Sequence, residues 1–249
     1  MKAVITGASS GIGRDMARVL SQKGYDLILV ARRLNRLEEL QKELPTKVQA
    51  IFCDLSQTEA CFDLYEQLKD ADIDIFINNA GFGLFGAFDE ADLGKELEMM
   101  DTNIRAVHIL TKLFLQKFLK CDKGYILNVA SSAAFLPGPL LSTYYASKSY
   151  VLRLSEAIYE ELRRKQKNVH ISVLCPGPVA TEFDRVADVR FSVKGLSSYK
   201  VAQVAIDGLL RNKLLITPGA LMKMARFVER FLPEKWLLRA CYHMQKRKQ

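Results

Sequence analysis

Short apolar runs alternate with longer segments of helical period along most of this chain, and few architectures accommodate that alternation. The pattern predicts strands near 2–6, 25–31, 47–53, 73–77, 124–130, 169–175 and 213–217. Helices are expected between them, near 11–23, 33–44, 56–70, 95–119, 143–166 and 198–211. Leu27-Ile28-Leu29-Val30 is apolar on both sides of the pleat, as suits a parallel strand covered by helices on both faces. The fold class is therefore α/β, a doubly wound parallel sheet. Gly24 stands where a helix-ending glycine belongs, and Ser56 with Glu59 reads as a capping box for the third helix. No internal repeat or linker interrupts the chain. Residues 1–218 read as one domain that includes a loop at 182–200, and residues 219–249 as an extension.

The chain has 249 residues, 49% apolar and 26% charged. A domain of that size buries about 70–75% of its unfolded surface and needs no disulfide or metal staple. Cys53, Cys61, Cys121, Cys175 and Cys241 are scattered, with no CxxC and no histidine at ligand spacing. That usage is expected of reduced thiols in a cytoplasm, without a metal site. Met1 to Thr6 enters an apolar strand at once, which leaves no room for a secretory leader. No run approaches the roughly 20 apolar residues of a membrane-spanning helix. The net charge of +8 is localised: residues 211–249 hold ten Lys and Arg against two Asp and Glu, and the rest of the chain balances. With the basic residues confined to one tail and no recognition motif beside them, nucleic-acid binding is not expected.

Thr6-Gly7-Ala8-Ser9-Ser10-Gly11-Ile12-Gly13 lies between the first strand and the first helix. Glycines at 7, 11 and 13 allow a tight turn and a close approach of backbone to a pyrophosphate, and the helix N-terminus adds unpaired N–H groups. A dinucleotide is the expected ligand of Gly7, Ser9, Ser10, Gly11, Ile12 and Gly13. The second strand ends in Ala31-Arg32-Arg33, where an NAD-selective fold would often carry an acidic residue for the ribose 2′-hydroxyl. Two guanidiniums suit a 2′-phosphate instead, and Arg14 adds to the same field, so the cofactor expected is NADPH/NADP+. The competing reading, a solvated helix face paired with Glu39 or Glu43, is preferred for Arg36.

Tyr144 and Lys148 stand four apart at the start of the fifth major helix and project from one face. A phenol beside an ammonium is a usable general acid/base. Taken in order, Thr6 to Gly13, Asp54-Leu55, Asn78-Asn79-Ala80-Gly81, Asn103, Asn128-Val129-Ala130-Ser131, Tyr144 with Lys148, and Pro176-Gly177-Pro178-Val179-Ala180-Thr181 resemble the short-chain dehydrogenase/reductase family. The resemblance extends to about residue 181. It implies a Rossmann-type sheet of about seven strands in the order 3-2-1-4-5-6-7, with the site at the strands' carboxyl ends.

Carried over by position, the resemblance implies that Tyr144 donates a proton to a carbonyl oxygen, or removes it from an alcohol. Lys148 would bind the nicotinamide ribose and lower the tyrosine pKa. Ser131, three residues after Asn128, would orient the same substrate oxygen, with Ser132 as a secondary donor. Asn103 would hold a water that continues the relay. Asp54 would touch the adenine with Leu55 beside it, Asn79, Ala80 and Gly81 would line the cofactor, and Pro176, Gly177, Val179 and Thr181 would cover its nicotinamide end. Phe135 stands where the family often has a glycine, and reads equally as an apolar wall of the substrate mouth or as core. Homodimers or homotetramers through the helices near 95–119 and 143–166 are usual in the family.

Phe85, Phe88, Pro137, Leu140, Leu141 and Phe183 suggest an apolar pocket for a lipophilic ketone or aldehyde. The 182–200 loop adds Arg185, Val186, Val189, Phe191 and Val193 without a clear period. In the extension, Lys223, Arg226 and Arg230 oppose Leu221, Met224, Phe227, Val228 and Phe231 at helical spacing. After Pro233 the mixture returns with Lys235, Arg239, Lys246, Arg247 and Lys248 beside Trp236, Leu237, Tyr242 and Met244. A basic amphipathic element of this kind suits a membrane surface, packing on its own domain or a second subunit, or an anionic substrate carrier. The function expected is an NADP(H)-dependent oxidoreductase exchanging a hydride with a carbonyl or secondary alcohol. The alternative is a non-catalytic NADP-binding sensor or membrane-associated scaffold.

Overall fold

The computed structural model describes residues 1–183, 187, 195–219, 222, 224, 231 and 233–246. Every strand of its main sheet carries β-branched residues within an apolar run. β1 (Lys2–Thr6), β2 (Asp26–Ala31), β3 (Val48–Phe52), β4 (Ile75–Asn78), β5 (Gly124–Val129) and β6 (Val169–Leu174) pair in parallel. The strand expected near 213–217 is Leu215–Ile216, which is β9 in chain order and joins the far edge through Val173 opposite Leu215. The sheet order is β3-β2-β1-β4-β5-β6-β9, the order the sequence implied. A second, two-stranded parallel ladder, β7 (Val179–Ala180) with β8 (Leu196–Ser197), was not anticipated. Two-residue strands leave no period to read.

Side chains alternate across the pleat and so build two cores. Ala3, Ile5, Leu27 and Leu29 face α1 (Gly11–Gln22), α2 (Leu34–Glu43) and α7 (Ser198–Leu210). Val4, Ile28, Val30, Phe76 and Ile126 face α3 (Thr58–Leu68) and α5 (Ala106–Cys121). On that second face the ring of Phe114 stacks on Phe76 with centroids 3.8 Å apart. α6 (Ser142–Arg164) completes the layer through Val151 and Leu152, which are fully buried.

Local signals explain most boundaries. α1 ends at Gly24, whose φ of +83° is a left-handed conformation that L side chains rarely adopt. The start of α3 departs from the expected capping box: the helix begins at Thr58, and Asp54 Oδ1 accepts from both the N–H and the hydroxyl of Ser56, at 3.1 and 2.9 Å. A short carboxylate two residues upstream wins that serine before the helix can use it. The single helix expected near 95–119 is α4 (Leu93–Met100) and α5 joined by a π-helical insertion, Asp101–Arg105. Asn103 lies in the insertion and is wholly buried.

The last described element is α8 (Glu234–Lys246). Among the described residues no helix is long and apolar enough to cross a membrane. The loop residues Arg185, Val186, Val189, Phe191 and Val193, and the tail residues Leu221, Lys223, Arg226, Phe227, Val228, Arg230, Arg247 and Lys248, lie outside the described residues.

Candidate active site

β1 runs into a turn that only glycine can make. Gly7 has a φ of +63°, and a Cβ there would lie 2.7 Å from the Ala80 Cα. A side chain at Gly13 would strike the Asn79 amide and the Gly7 carbonyl. Asn79 holds the turn: its Nδ2 donates to the carbonyls of Thr6 and Gly7 at 3.0 and 3.1 Å. The Thr6 hydroxyl in turn accepts the N–H groups of Asn79 and Ala80. β1 and β4 are thus locked side by side where their ends open into a cleft.

That cleft is a cavity of about 650 Å³. Gly7, Ser9, Ser10, Gly11 and Ile12 line it at the α1 N-terminus, where no side chain caps the first turn of the helix. Uncapped N–H groups beside a glycine turn suit a phosphate. Arg32, Arg33, Asp54 and Leu55 line one end, Asn79, Ala80 and Gly81 the floor, and Pro176, Gly177, Val179 and Thr181 the opposite wall. Gly13 sits behind the turn, and Arg14, whose side chain is largely exposed 4.0 Å from Asp15, does not line the cavity.

Arg33 is held from three sides. Its Nε and Nη2 donate to the hydroxyls of Ser9 and Ser10 at 3.2 and 2.8 Å, and its Nη1 to Glu182 at 2.8 Å. Arg36 also bonds Glu182, at 2.9 Å, rather than the expected Glu39 or Glu43; Glu43 is taken by Arg18 at 2.7 Å. Two guanidiniums hold the Glu182 carboxyl well below the usual range, at about 2. Arg32 points to Glu98, at 2.9 Å, with Asp54 at 3.9 Å.

At the other end Ser131, Tyr144 and Lys148 share the cavity wall. Burial pushes the Tyr144 phenol up, opposed in part by its hydrogen bond with Ser131. The Lys148 ammonium lies 5.8 Å from the ring centroid and donates to the Val129 carbonyl at 3.1 Å. Burial brings Lys148 itself down to about 8, because desolvation disfavours its charged form. The phenol is therefore kept protonated, a proton donor at ordinary pH.

Asn103 does not line the cavity. Its amide accepts from the Phe82 N–H at 3.1 Å, donates to the Phe82 carbonyl at 2.9 Å and donates to Ser147 at 3.1 Å. It pins the chain after β4 against α6, one residue from Gly81.

The apolar walls differ from those expected. Leu141 and Phe183 line the cavity, whereas Phe85 packs beside it, Phe88 is exposed and Pro137 borders a separate shallow groove. Phe135 fills both expected roles, packing on the α5–α6 core while lining the cavity. Phe82, Thr102, Leu136, Tyr145, Met222 and Met244 line it without having been singled out for it. Met222 and Met244 come from the C-terminal extension. Gln245 of α8 donates to the Tyr145 hydroxyl, and Cys241 and Gln245 are buried.

A family profile described as short chain dehydrogenase matches residues 1–189. The very-long-chain 3-oxoacyl-CoA reductase of Anas platyrhynchos is 30% identical over 229 residues, 88% of this chain and 73% of that protein. A short-chain dehydrogenase from Sphingobium yanoikuyae, solved in complex with NADPH, superposes with a TM-score of 0.82 at 29% identity, covering 88% of each chain. The bulky-bulky ketone specific alcohol dehydrogenase from Comamonas testosteroni gives a TM-score of 0.79 at 27% identity, covering 92% of this chain and 90% of its own.

Proposed function

The chain belongs to the short-chain dehydrogenase/reductase family, and from that footing we propose that it is a cytoplasmic NADP(H)-dependent oxidoreductase that reduces the carbonyl of a lipophilic ketone or aldehyde. One observation carries the reading: Tyr144, Ser131 and Lys148 share a single cavity with the glycine turn and Arg33. A proton donor and an anion-binding pair at opposite ends of one cleft suit a reaction in which a dinucleotide bridges them.

NADP(H), when bound, supplies or accepts the hydride. The chain's own residues do the rest. Ser131 holds the substrate oxygen by a hydrogen bond, and Tyr144 donates its proton to that oxygen as the alcohol forms. A phenol raised by burial is in the form that reduction requires, and the reverse reaction needs the disfavoured phenolate. Lys148 binds the ribose hydroxyls, and Asn103 fixes the backbone beside it. The uncapped N–H groups at Ser10–Ile12 take the pyrophosphate, Arg33 with Ser9 and Ser10 the 2′-phosphate, and Asp54 with Leu55 the adenine. Arg14 and Arg32 add field, Asn79, Ala80 and Gly81 contact the cofactor's middle, and Pro176, Gly177, Val179 and Thr181 its nicotinamide end.

Phe82, Phe135, Leu136, Leu141, Phe183, Met222 and Met244 give the remaining cavity an apolar wall, in keeping with the bulky ketones named for the Comamonas relative and the long acyl chains named for the Anas relative. We include a homodimer or homotetramer through the outer faces of α5 and α6 in this reading. The test is NADPH oxidation across ketones and aldehydes of graded size, with NADH in parallel. Faster turnover with NADPH and with medium-chain or cyclic ketones is expected. Preference for NADH, or for small polar ketones alone, would overturn the corresponding half of the reading.

A further inference from the structure

We propose that the outer face of α8 is a docking surface for an anionic lipid bilayer. The helix has two faces of different character. Leu237, Cys241 and Gln245, at i, i+4 and i+8, form the stripe turned toward the protein; Cys241 and Gln245 are buried, and Gln245 is bonded to Tyr145. Lys235, Arg239, Tyr242 and Lys246, at i, i+4, i+7 and i+11, form a second stripe that is exposed along its length. The hydrogen bond to Tyr145 and the buried stripe fix the helix against the body, so the outer stripe is presented in one orientation.

The composition of that outer face is specific. Its cations stand among large apolar side chains: Trp236 is 69% exposed, Tyr242 43% and Leu238 40%. Phe231, one turn before the helix, is 72% exposed. Glu234 is the one acidic residue in α8, and no ion pair among the described residues involves Lys235, Arg239 or Lys246. A solvated helix face has no need of exposed tryptophan and leucine between its lysines, and a subunit contact built on them would bury uncompensated cations. At a bilayer interface both are satisfied: aromatic rings settle at headgroup depth and cations meet lipid phosphate.

The full chain is mixed with phosphatidylglycerol-rich vesicles and, separately, with pure phosphatidylcholine vesicles, and sedimentation is measured. Trp236 is the only tryptophan in the chain, so its emission reports the docking face directly. Sedimentation with the anionic vesicles alone, together with a blue shift of Trp236, is expected. Salt raised toward about 1 M, where the Debye length is near 3 Å, should release the protein. The triple variant Lys235→Glu, Arg239→Glu, Lys246→Glu should keep its thermal midpoint and bind the anionic vesicles on the order of 100-fold more weakly. Absence of sedimentation with anionic vesicles overturns the proposal. So does equal binding to both vesicle types, or lipid-free self-association that the triple variant abolishes, which would assign the face to a second copy of the chain. None of these readouts involves turnover, so failure of the proposed reaction would leave the result interpretable.

Discussion

Arg33 donates to the Glu182 carboxylate at 2.8 Å, across 149 positions of sequence. The guanidinium proposed to bind a 2′-phosphate thus already holds an anion, contributed by the chain at the edge of the substrate side. A cofactor phosphate must compete with it. Glu182→Gln removes the competitor's charge while keeping its shape. The KM for NADPH should fall by about 2- to 5-fold, the scale of a partly exposed ion pair of up to about 1 kcal/mol, and that for NADH should not change. A rise in the NADPH value would mean that Glu182 positions Arg33 rather than competing for it.

Arg33 and Arg32 should not contribute equally. Arg33 is oriented by Ser9 and Ser10 toward the cavity, whereas Arg32 is drawn outward to Glu98. Arg33→Ala is expected to lower kcat/KM for NADPH by about 10- to 100-fold, the worth of a lost charge-assisted phosphate contact. Its effect on NADH should stay under about threefold, and Arg32→Ala should fall between the two. Equal losses with both cofactors would assign Arg33 to the turn's architecture instead of to selectivity.

Tyr144→Phe deletes one oxygen from a buried ring that packs 5.3 Å from Phe183, so the surrounding structure should hold. Loss of the general acid should reduce kcat by at least about 100-fold. NADPH affinity, followed by the enhancement of its fluorescence, should change less than about twofold, within the scatter expected for a residue that makes no ionic contact. Surviving turnover would transfer the proton step to another residue and sink the assignment.

Local pattern exposed the sheet because each strand carries its own signal: Leu27 to Val30 needs no partner to read as a buried parallel strand. The order of the strands came from the motifs. What stayed hidden depends on distant partners or on small changes of pitch. Glu182 reaches Arg33 and Arg36 only after folding, and a hydrophobic period cannot say that Met244 and Gln245 will return to Tyr145, about a hundred residues earlier. The π-helical insertion at Asp101–Arg105 shifts the helical phase over a single turn, too little to disturb the period of a long helix. Asn103 was found by its motif, but its hold on Phe82 was not. Spacing places Tyr144 and Lys148 together but does not tell how deeply they are buried, and burial is the largest influence on the pKa of each.

Lys148 is held in a buried site that lowers its pKa from 10.5 to about 8. The unfolded chain therefore binds more protons than the native one between those values, and native stability should rise with pH across that window. Below about pH 8 the folded protein carries the full cost of a buried ammonium, which Lys148→Met removes. The variant should be the more stable at pH 7, by up to about 3 kcal/mol, and its advantage should shrink toward pH 10.5. Urea denaturation of both proteins across that range checks it. An advantage that grows with pH would require Lys148 to be stabilised as a cation in the native state.

Gly81 occupies the point where the chain after β4, Asn103 and Lys148 meet. A Cβ there would lie 2.8 Å from Asn103 Oδ1 and 3.1 Å from Lys148 Nζ. Asn103, the nearer group, can retreat only by loosening its bonds to both backbone groups of Phe82, and the flexible Lys148 must give as well. Gly81→Ala is therefore expected to cost a modest amount of stability, about 1–3 kcal/mol of overpacking, which for a chain of this size lowers Tm by several degrees. Its effect on kcat should be larger, about tenfold or more, because displacing an active-site group by even 1 Å disturbs a reactive geometry. Parallel measurement of Tm and kcat separates the two. If kcat is retained while Tm falls, the contact with Lys148 is a packing contact alone, and its present position is not the one that catalysis requires.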